Sequence, residues 1–247
     1  MDIKGIESAV HLLIKFGSKQ NIQKLQSGQF YMKRLKYYVD LEKNTSDEMV
    51  GDQYDGQMML KDVKFTLYTY DTNEYVGQLH APISSFNLGY LNNPVFCMYM
   101  LDYRNYLSKE IQNGLLHIKY GFLKEQSAKI KDFGESALVV TNTNEFFKRI
   151  DNAFKKRGID YFRDLVSYYD YNNIQQLKEI QANNPRIAFW KRQKYAFQQE
   201  YRFFAHTEVE DNLTLDIGDI SDISQVLPTE QLLNTYLEVK CTLKELE

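Results

Sequence analysis

Lys15-Phe16-Gly17-Ser18-Lys19-Gln20-Asn21-Ile22-Gln23-Lys24-Leu25-Gln26-Ser27-Gly28-Gln29-Phe30-Tyr31 is the stretch whose order of elements decides how this chain is read. The apolar run at 11–16 that leads into it predicts a strand ending at Gly17-Ser18. Ser18 is a helix-capping residue, and Ile22 and Leu25 fall three apart on one face of the short helix expected at 21–27. Gly28 is the expected stop, and a second strand follows at 29–32.

Further along, 35–42 has helical spacing, and the polar, turn-rich stretch 43–56 reads as an exposed loop more mobile than its flanks. Residues 63–70 and 75–79 alternate like the arms of a hairpin turning through Asp71-Thr72-Asn73-Glu74. After Pro94, the almost wholly apolar run 95–101 predicts a strand covered on both faces. A strand at 137–141 precedes an amphipathic helix at 144–156, closed by Gly158. Residues 161–169 predict a strand or hairpin arm, and 174–182 a helix broken by Asn183-Asn184-Pro185. A second helix is expected at 188–195 and a strand at 197–205, with short elements at 213–217 and 231–239. No repeat or linker interrupts this mixture, so the expectation is a single α+β domain over 1–247, with 57–130 as an insertion or elaboration of its core.

Composition narrows the function classes. The 247 residues are 43% hydrophobic and 26% charged, and the longest apolar run falls short of the roughly 18 residues a membrane helix needs. The start, Met1-Asp2-Ile3-Lys4-Gly5, lacks the pattern of a secretory signal, and Cys97 and Cys241 are too few for a disulfide framework. The expected setting is therefore the reducing cytoplasm, without membrane attachment. A formal charge of −3, from 30 basic and 33 acidic residues, gives no global field for nucleic acid. Histidines 11, 80, 117 and 206 have no metal-ligand spacing, so no metal is expected. No glycine-rich phosphate loop is present, which argues against ATP-driven and Rossmann-type chemistry. The 19 tyrosines and 15 phenylalanines suit a strand-rich core and a contact surface.

The strand-helix-glycine-strand opening, together with Gln198-Gln199-Glu200-Tyr201-Arg202-Phe203 on the late strand, resembles the framing elements of the ADP-ribosyltransferase fold. Trp190, Tyr195, Glu200, Tyr201 and Arg202 also resemble the late segment of a poorly characterised bacterial and phage family, and Gly51-Asp52 and Asp55-Gly56 are similar to its phage-borne members. The resemblance covers roughly 11–56 and 185–205. It implies a split-sheet core with insertions and NAD as cofactor. It also implies Glu200 and Gln198 as catalytic residues, the Glu200 carboxylate stabilising positive charge that develops on the nicotinamide ribose. Lys15, Gly17, Ser18, Asn21, Tyr31 and Arg202 would form the cofactor site. The first strand departs from the better-known classes, carrying Lys15-Phe16-Gly17 where these place an arginine or histidine.

Plainer readings stand beside these. Glu200 and Arg202, two apart on a strand, would form an ordinary surface ion pair. Ser18 and Asn21 would serve as helix-capping residues, and Gly17 as a turn residue. Tyr31, Tyr37 and Tyr38 could stack on a planar ring but read first as packing residues, and the basic clusters Lys33-Arg34-Lys36 and Lys148-Arg149 to Lys155-Lys156-Arg157 could meet phosphates but read first as solvated helix faces. Three functions follow: a mono-ADP-ribosyltransferase acting on a protein or nucleic-acid target, a non-enzymatic phage or bacterial accessory protein that binds a host or defence component, or a protein that binds a nucleotide or nucleic acid without turnover.

Overall fold

The computed structural model describes residues 12–45, 49–87, 89–181 and 184–242. Strand β1 (Leu12–Gly17) leads through Ser18 into α1 (Lys19–Gln26), where the Ser18 hydroxyl accepts the Asn21 N–H at 3.3 Å. Ile22 and Leu25 are the buried residues of α1. At Gly28 the chain takes a positive φ of 102°, and a side chain there would come within 2.6 Å of the Gly218 backbone, so only glycine fits. Strand β2 (Gln29–Arg34) and helix α2 (Leu35–Thr45) follow.

Next come β3 (Gln57–Tyr68), β4 (Tyr75–Asn87), β5 (Pro94–Leu101), β6 (Tyr106–Gln112), β7 (Leu115–Tyr120) and α3 (Lys124–Ile130). The chain continues through β8 (Ser136–Val140), α4 (Thr143–Arg157), β9 (Tyr161–Leu165), β10 (Ser167–Tyr169) and α5 (Ile174–Gln181). It ends with β11 (Trp190–Arg192), β12 (Glu200–Ala205), β13 (Asn212–Asp216), β14 (Ser224–Pro228), α6 (Thr229–Leu233) and β15 (Leu237–Thr242). The molecule is a mixed α+β structure, and among the described residues no helix is long and apolar enough to cross a membrane.

Strand β5 organises the main sheet. One edge pairs with β12, from Glu200 opposite Tyr99 to Phe204 opposite Val95, and β12 in turn pairs with β9. The other edge is shared. β1 pairs at the far end, Leu12 with Leu101 through Ile14 with Tyr99, and β2 at the near end, Lys33 with Val95 and Arg34 with Pro94. β1 extends to β8 and β14, and β2 to β13, so the sheet forks along Phe96–Met98, with the two wings joined by α1.

The two faces of β5 have different cover. Phe96, Met98 and Met100 enter a core closed by α1 and α4, centred on Phe203, whose ring lies within 6.2 Å of those of Phe30, Phe96 and Phe146. On the other face two apolar clusters stand apart. One joins Ile14, Phe16, Tyr99 and Leu101 to the β15-β7-β6 sheet and α3, and the other joins Leu35, Val95, Phe189 and Phe204. Cys97 lies between Val95 and Tyr99 on that face, where polar groups collect. The β3-β4 hairpin pairs only with itself, and beyond its base most of it is exposed.

Three local expectations are corrected. Residues 188–195 do not form one helix: the 3-10 helices Pro185–Phe189 and Gln193–Gln198 take its two ends, and its middle is β11, which pairs in parallel with β10. Packing of Trp190 against Tyr169 on one side and ion pairing of Lys191 on the other override the helical spacing. The late strand begins at Glu200, because Gln199 has a positive φ of 38° and turns its amide to Tyr99, Asn105 and the Met100 carbonyl. The 43–56 stretch is not an exposed loop. Its first residues complete α2, 46–48 lie outside the described residues, and Gly51, Asp52, Asp55 and Gly56 are buried. Residues 161–169 divide between two sheets, β9 with β12 and β10 with β11.

Candidate functional site

The two-residue period of β12 puts Glu200 and Arg202 on one face, opposite Tyr99 and Cys97 of β5. Both are buried, at 5% and 1% exposure, so the surface ion pair of the plainer reading is a core one. Arg202 Nε donates to Glu200 Oε1 at 2.6 Å, and its two terminal nitrogens donate to Asp55 Oδ1 and Oδ2 at 2.8 and 2.9 Å. Arg202 also donates to the Ala188 carbonyl. Lys191 Nζ lies 3.3 Å from Glu200 Oε2 and 3.8 Å from Asp55 Oδ2, and donates to Gln198 Oε1 at 2.7 Å. Two cations thus share two carboxylates, the condition under which buried charge is tolerated.

The segment 49–56 is fastened over this cluster by more than Asp55. Gln198 Nε2 donates to the Met49 carbonyl at 2.7 Å, and Arg192 Nε donates to the fully buried Asp52 at 2.8 Å. Glu42 of α2 completes the second group, accepting from Arg192 at 2.8 Å, from Lys194 at 3.1 Å and from the Gln53 backbone.

Between the cluster and β1 lies a cavity of about 120 Å³. Its aromatic walls are Phe16, Tyr38, Tyr99 and Phe133, and Lys15, Asp55, Cys97, Lys191, Gln198, Glu200 and Arg202 supply its polar lining. Lys15 Nζ donates to the Cys97 carbonyl at 2.7 Å and lies 4.6 Å from the centre of the Phe96 ring. The Met100 N–H bonds Gln199 on the β12 side, so by strand alternation the Cys97 carbonyl points to the opposite, forked edge, where Lys15 takes the place of a strand partner.

Electrostatics fix the roles these groups can play. Burial alone would raise the Glu200 carboxyl, but Arg202 and Lys191 overcome it and hold it well below the usual carboxylate range. Glu200 therefore remains ionised at neutral pH and supplies a fixed negative charge instead of a transferable proton. Burial pushes Asp55 upward against the pull of Arg202 and Lys191. Burial, reinforced by Glu200, raises the Cys97 thiol to about 12, leaving little thiolate at neutral pH. Burial lowers Lys15, opposed by the Cys97 and Glu200 charges.

Of the residues singled out in the sequence, Lys15, Gln198, Glu200 and Arg202 line one cavity. Gln198 does so from the end of a 3-10 turn, not from the strand. Gly17, Ser18, Asn21 and Tyr31 are not among the lining residues. Gly17 lies against Gly134, Ser18 caps α1, Asn21 is exposed on the first turn of α1, and Tyr31 is exposed on β2 opposite Thr214. The sequence reading assigned Asp55, Lys191 and Cys97 no role in the site, and for Tyr38 it set ring stacking second to packing. Among the described residues no three His, Cys, Asp or Glu side chains are grouped to hold a metal ion. Comparison with family models, curated proteins and solved structures found no match.

Proposed function

We propose that this chain is an ADP-ribosyltransferase-like protein that uses NAD to modify a protein or nucleic-acid target, with the forked-sheet cavity as the seat of the nicotinamide ring. The observation that carries this reading is the approach of β1 and β12 to one aromatic-walled cavity at the fork, with Lys15 on the first and Glu200 on the second. The fit is partial. About 120 Å³ accommodates one ring, so the remainder of the dinucleotide would lie outside the cavity. NAD, when bound, would supply an ADP-ribosyl group on a cleavable glycosidic bond. Glu200 would face that bond as a preorganised anion, held in place by Arg202 and Lys191. Lys15 would orient an acceptor on the ligand.

A second reading, a non-enzymatic phage or bacterial accessory protein that binds a host or defence component, has its own support. Both Glu200 oxygens are already engaged by cations, which cancels much of the charge a transferase would use. The β3-β4 register also puts Val63, Phe65 and Leu67 beside Ala81, Leu79 and Gly77 on one apolar hairpin face, leaving Lys64, Thr66, Gln78 and His80 on the other.

The test is nicotinamide release and label transfer from labelled NAD in a host lysate, with wild type and Glu200→Gln compared alongside thermal melts. The transferase reading expects turnover that falls by about 10²–10³ in a folded variant. No turnover by folded wild type would reject it in favour of binding without chemistry, and equal turnover in both proteins would reject Glu200 as the catalytic residue.

A further inference from the structure

The cavity holds one more positive charge than its carboxylates balance. Arg202 and Lys191 are matched by Glu200 and Asp55, each carboxylate lying within 4 Å of both cations. Lys15 is the third cation. Among the described residues no carboxylate lies within ion-pair distance of its Nζ, and the Cys97 carbonyl is its one hydrogen-bond acceptor. An ammonium group carries three donors; one goes to the Cys97 carbonyl and the Phe96 ring lies 4.6 Å away, which leaves donor capacity for a ligand in the cavity that Lys15 lines. A partly buried cation without a carboxylate is an anion-binding position as long as an anion can reach it.

The rest of the cavity sets the shape of that anion. Phe16 stands edge-on to Tyr99 and Phe133, with ring centres 6.2 and 6.3 Å apart, and Tyr38 adds a further aromatic surface. A cavity of ~150 Å³ lined by apolar side chains takes one benzene ring, so about 120 Å³ suits a single ring and is too small for a fused pair. A planar substituent is favoured, since a tetrahedral anion on the same ring would need more room.

From this we infer that the cavity binds a single-ring aromatic carboxylate, its ring between Phe16, Tyr38, Tyr99 and Phe133 and its carboxylate on Lys15. This uses the cavity described above and does not depend on NAD chemistry. The charged and titratable groups facing Lys15 are Cys97 from β5, Glu200 and Arg202 from β12, Lys191 from β11, Asp55 from the 49–56 segment and Tyr38 from α2.

The experiment is titration calorimetry of the full chain with four probes: benzoate, pyridine-3-carboxylate, neutral benzamide and 2-naphthoate. Benzoate and pyridine-3-carboxylate are expected to saturate one site per chain, roughly tenfold or more tighter than benzamide, because a hydrogen bond to a charged group is stronger than its neutral counterpart. 2-Naphthoate is expected not to bind. Lys15→Met should weaken benzoate at least tenfold more than benzamide, so that the carboxylate preference is lost, whereas Lys15→Arg should keep it. The wild-type comparison holds even if Lys15→Met fails to fold. Benzamide binding as tightly as benzoate, naphthoate binding equally, full benzoate affinity in folded Lys15→Met, or no benzoate binding up to roughly 10 mM would each overturn the inference. Nicotinamide release from NAD, measured on the same samples, reports on the transferase reading separately, so either can fail while the other stands.

Discussion

Replacing Asp55 by Asn tests whether the 49–56 segment is held down by charge. Asp55 is fully buried and meets both terminal nitrogens of Arg202, at 2.8 and 2.9 Å, with Lys191 at 3.8 Å. Two unit charges about 4 Å apart at an effective dielectric of ~20 attract by about 4 kcal/mol. An asparagine keeps one acceptor for one Arg202 nitrogen but turns an N–H toward the other, and leaves two cations sharing Glu200 alone. Removing one member of a buried pair typically costs about 3–5 kcal/mol. In a chain of 247 residues that lowers Tm by roughly 6–20 °C.

The matched control is Asp55→Asn combined with Arg202→Met, which removes one charge of each sign and leaves Lys191 paired with Glu200 at 3.3 Å. Its cost should fall about 2 kcal/mol short of the sum of the single changes. Chemical denaturation of the four proteins gives the cycle, and hydrogen exchange of 49–56 shows whether the segment loosens in Asp55→Asn. A single-change cost below about 1 kcal/mol, or additivity within about 0.5 kcal/mol, would refute the view that this ion pair fastens the segment.

Two other outcomes follow from the structure. Burial opposes ionisation of Glu42, but its hydrogen bonds from Gln53 and Lys194 and the charge of Arg192 hold its pKa below the ordinary value. A depressed carboxyl adds stability above its unfolded pKa that is lost as pH falls through the folded one, so melting curves taken from neutral pH to about pH 3 should decline below about pH 5, and Glu42→Gln should flatten part of that decline; an unchanged acid limb would remove Glu42 from the explanation. Replacing residues 64–80 of the β3-β4 hairpin with a two-residue Asn-Gly turn between the paired Val63 and Ala81 should leave Tm within about 3 °C, because the buried hairpin residues Met58 and Met59 lie at its base, while Phe65, Leu67 and Leu79 are exposed; calorimetry that shows a larger drop would mean the arm packs against the body.

What was legible in the sequence was mainly local. The β1-α1-β2 unit could be read because capping, helical spacing and a glycine stop all fall within a few residues of one another. The shared face of Glu200 and Arg202 followed from strand alternation, and the apolar run before Leu101 from its lack of polar residues. The rest depended on distant partners. Asp55 sits in a stretch whose composition favours solvent, yet its partner is 147 residues away, and no local pattern signals that a turn carboxylate will be buried against an arginine. Lys191 was hidden in a segment with helical spacing that tertiary packing makes a strand. The fork was equally invisible, since nothing in β1 or β2 alone says that both will pair with one edge of β5.

Charge balance also orders the functional readings. A positive charge developing in the cavity would be attracted by Glu200 and Asp55 and repelled by Lys191 and Arg202, contributions that nearly cancel because the four groups are interlocked at 2.6–3.8 Å. Lys15 then decides the sign, and it favours an anion. An NAD-derived cation at the ribose would be stabilised by Glu200 only once Lys15 is met by a negative group of the same ligand or of a neighbouring one. A carboxylate meets that requirement directly. Lys15→Met should therefore act in opposite directions on the two classes of ligand, weakening aromatic anions and removing a repulsion from cationic rings, which makes Lys15, more than Glu200, the residue on which the choice between them turns.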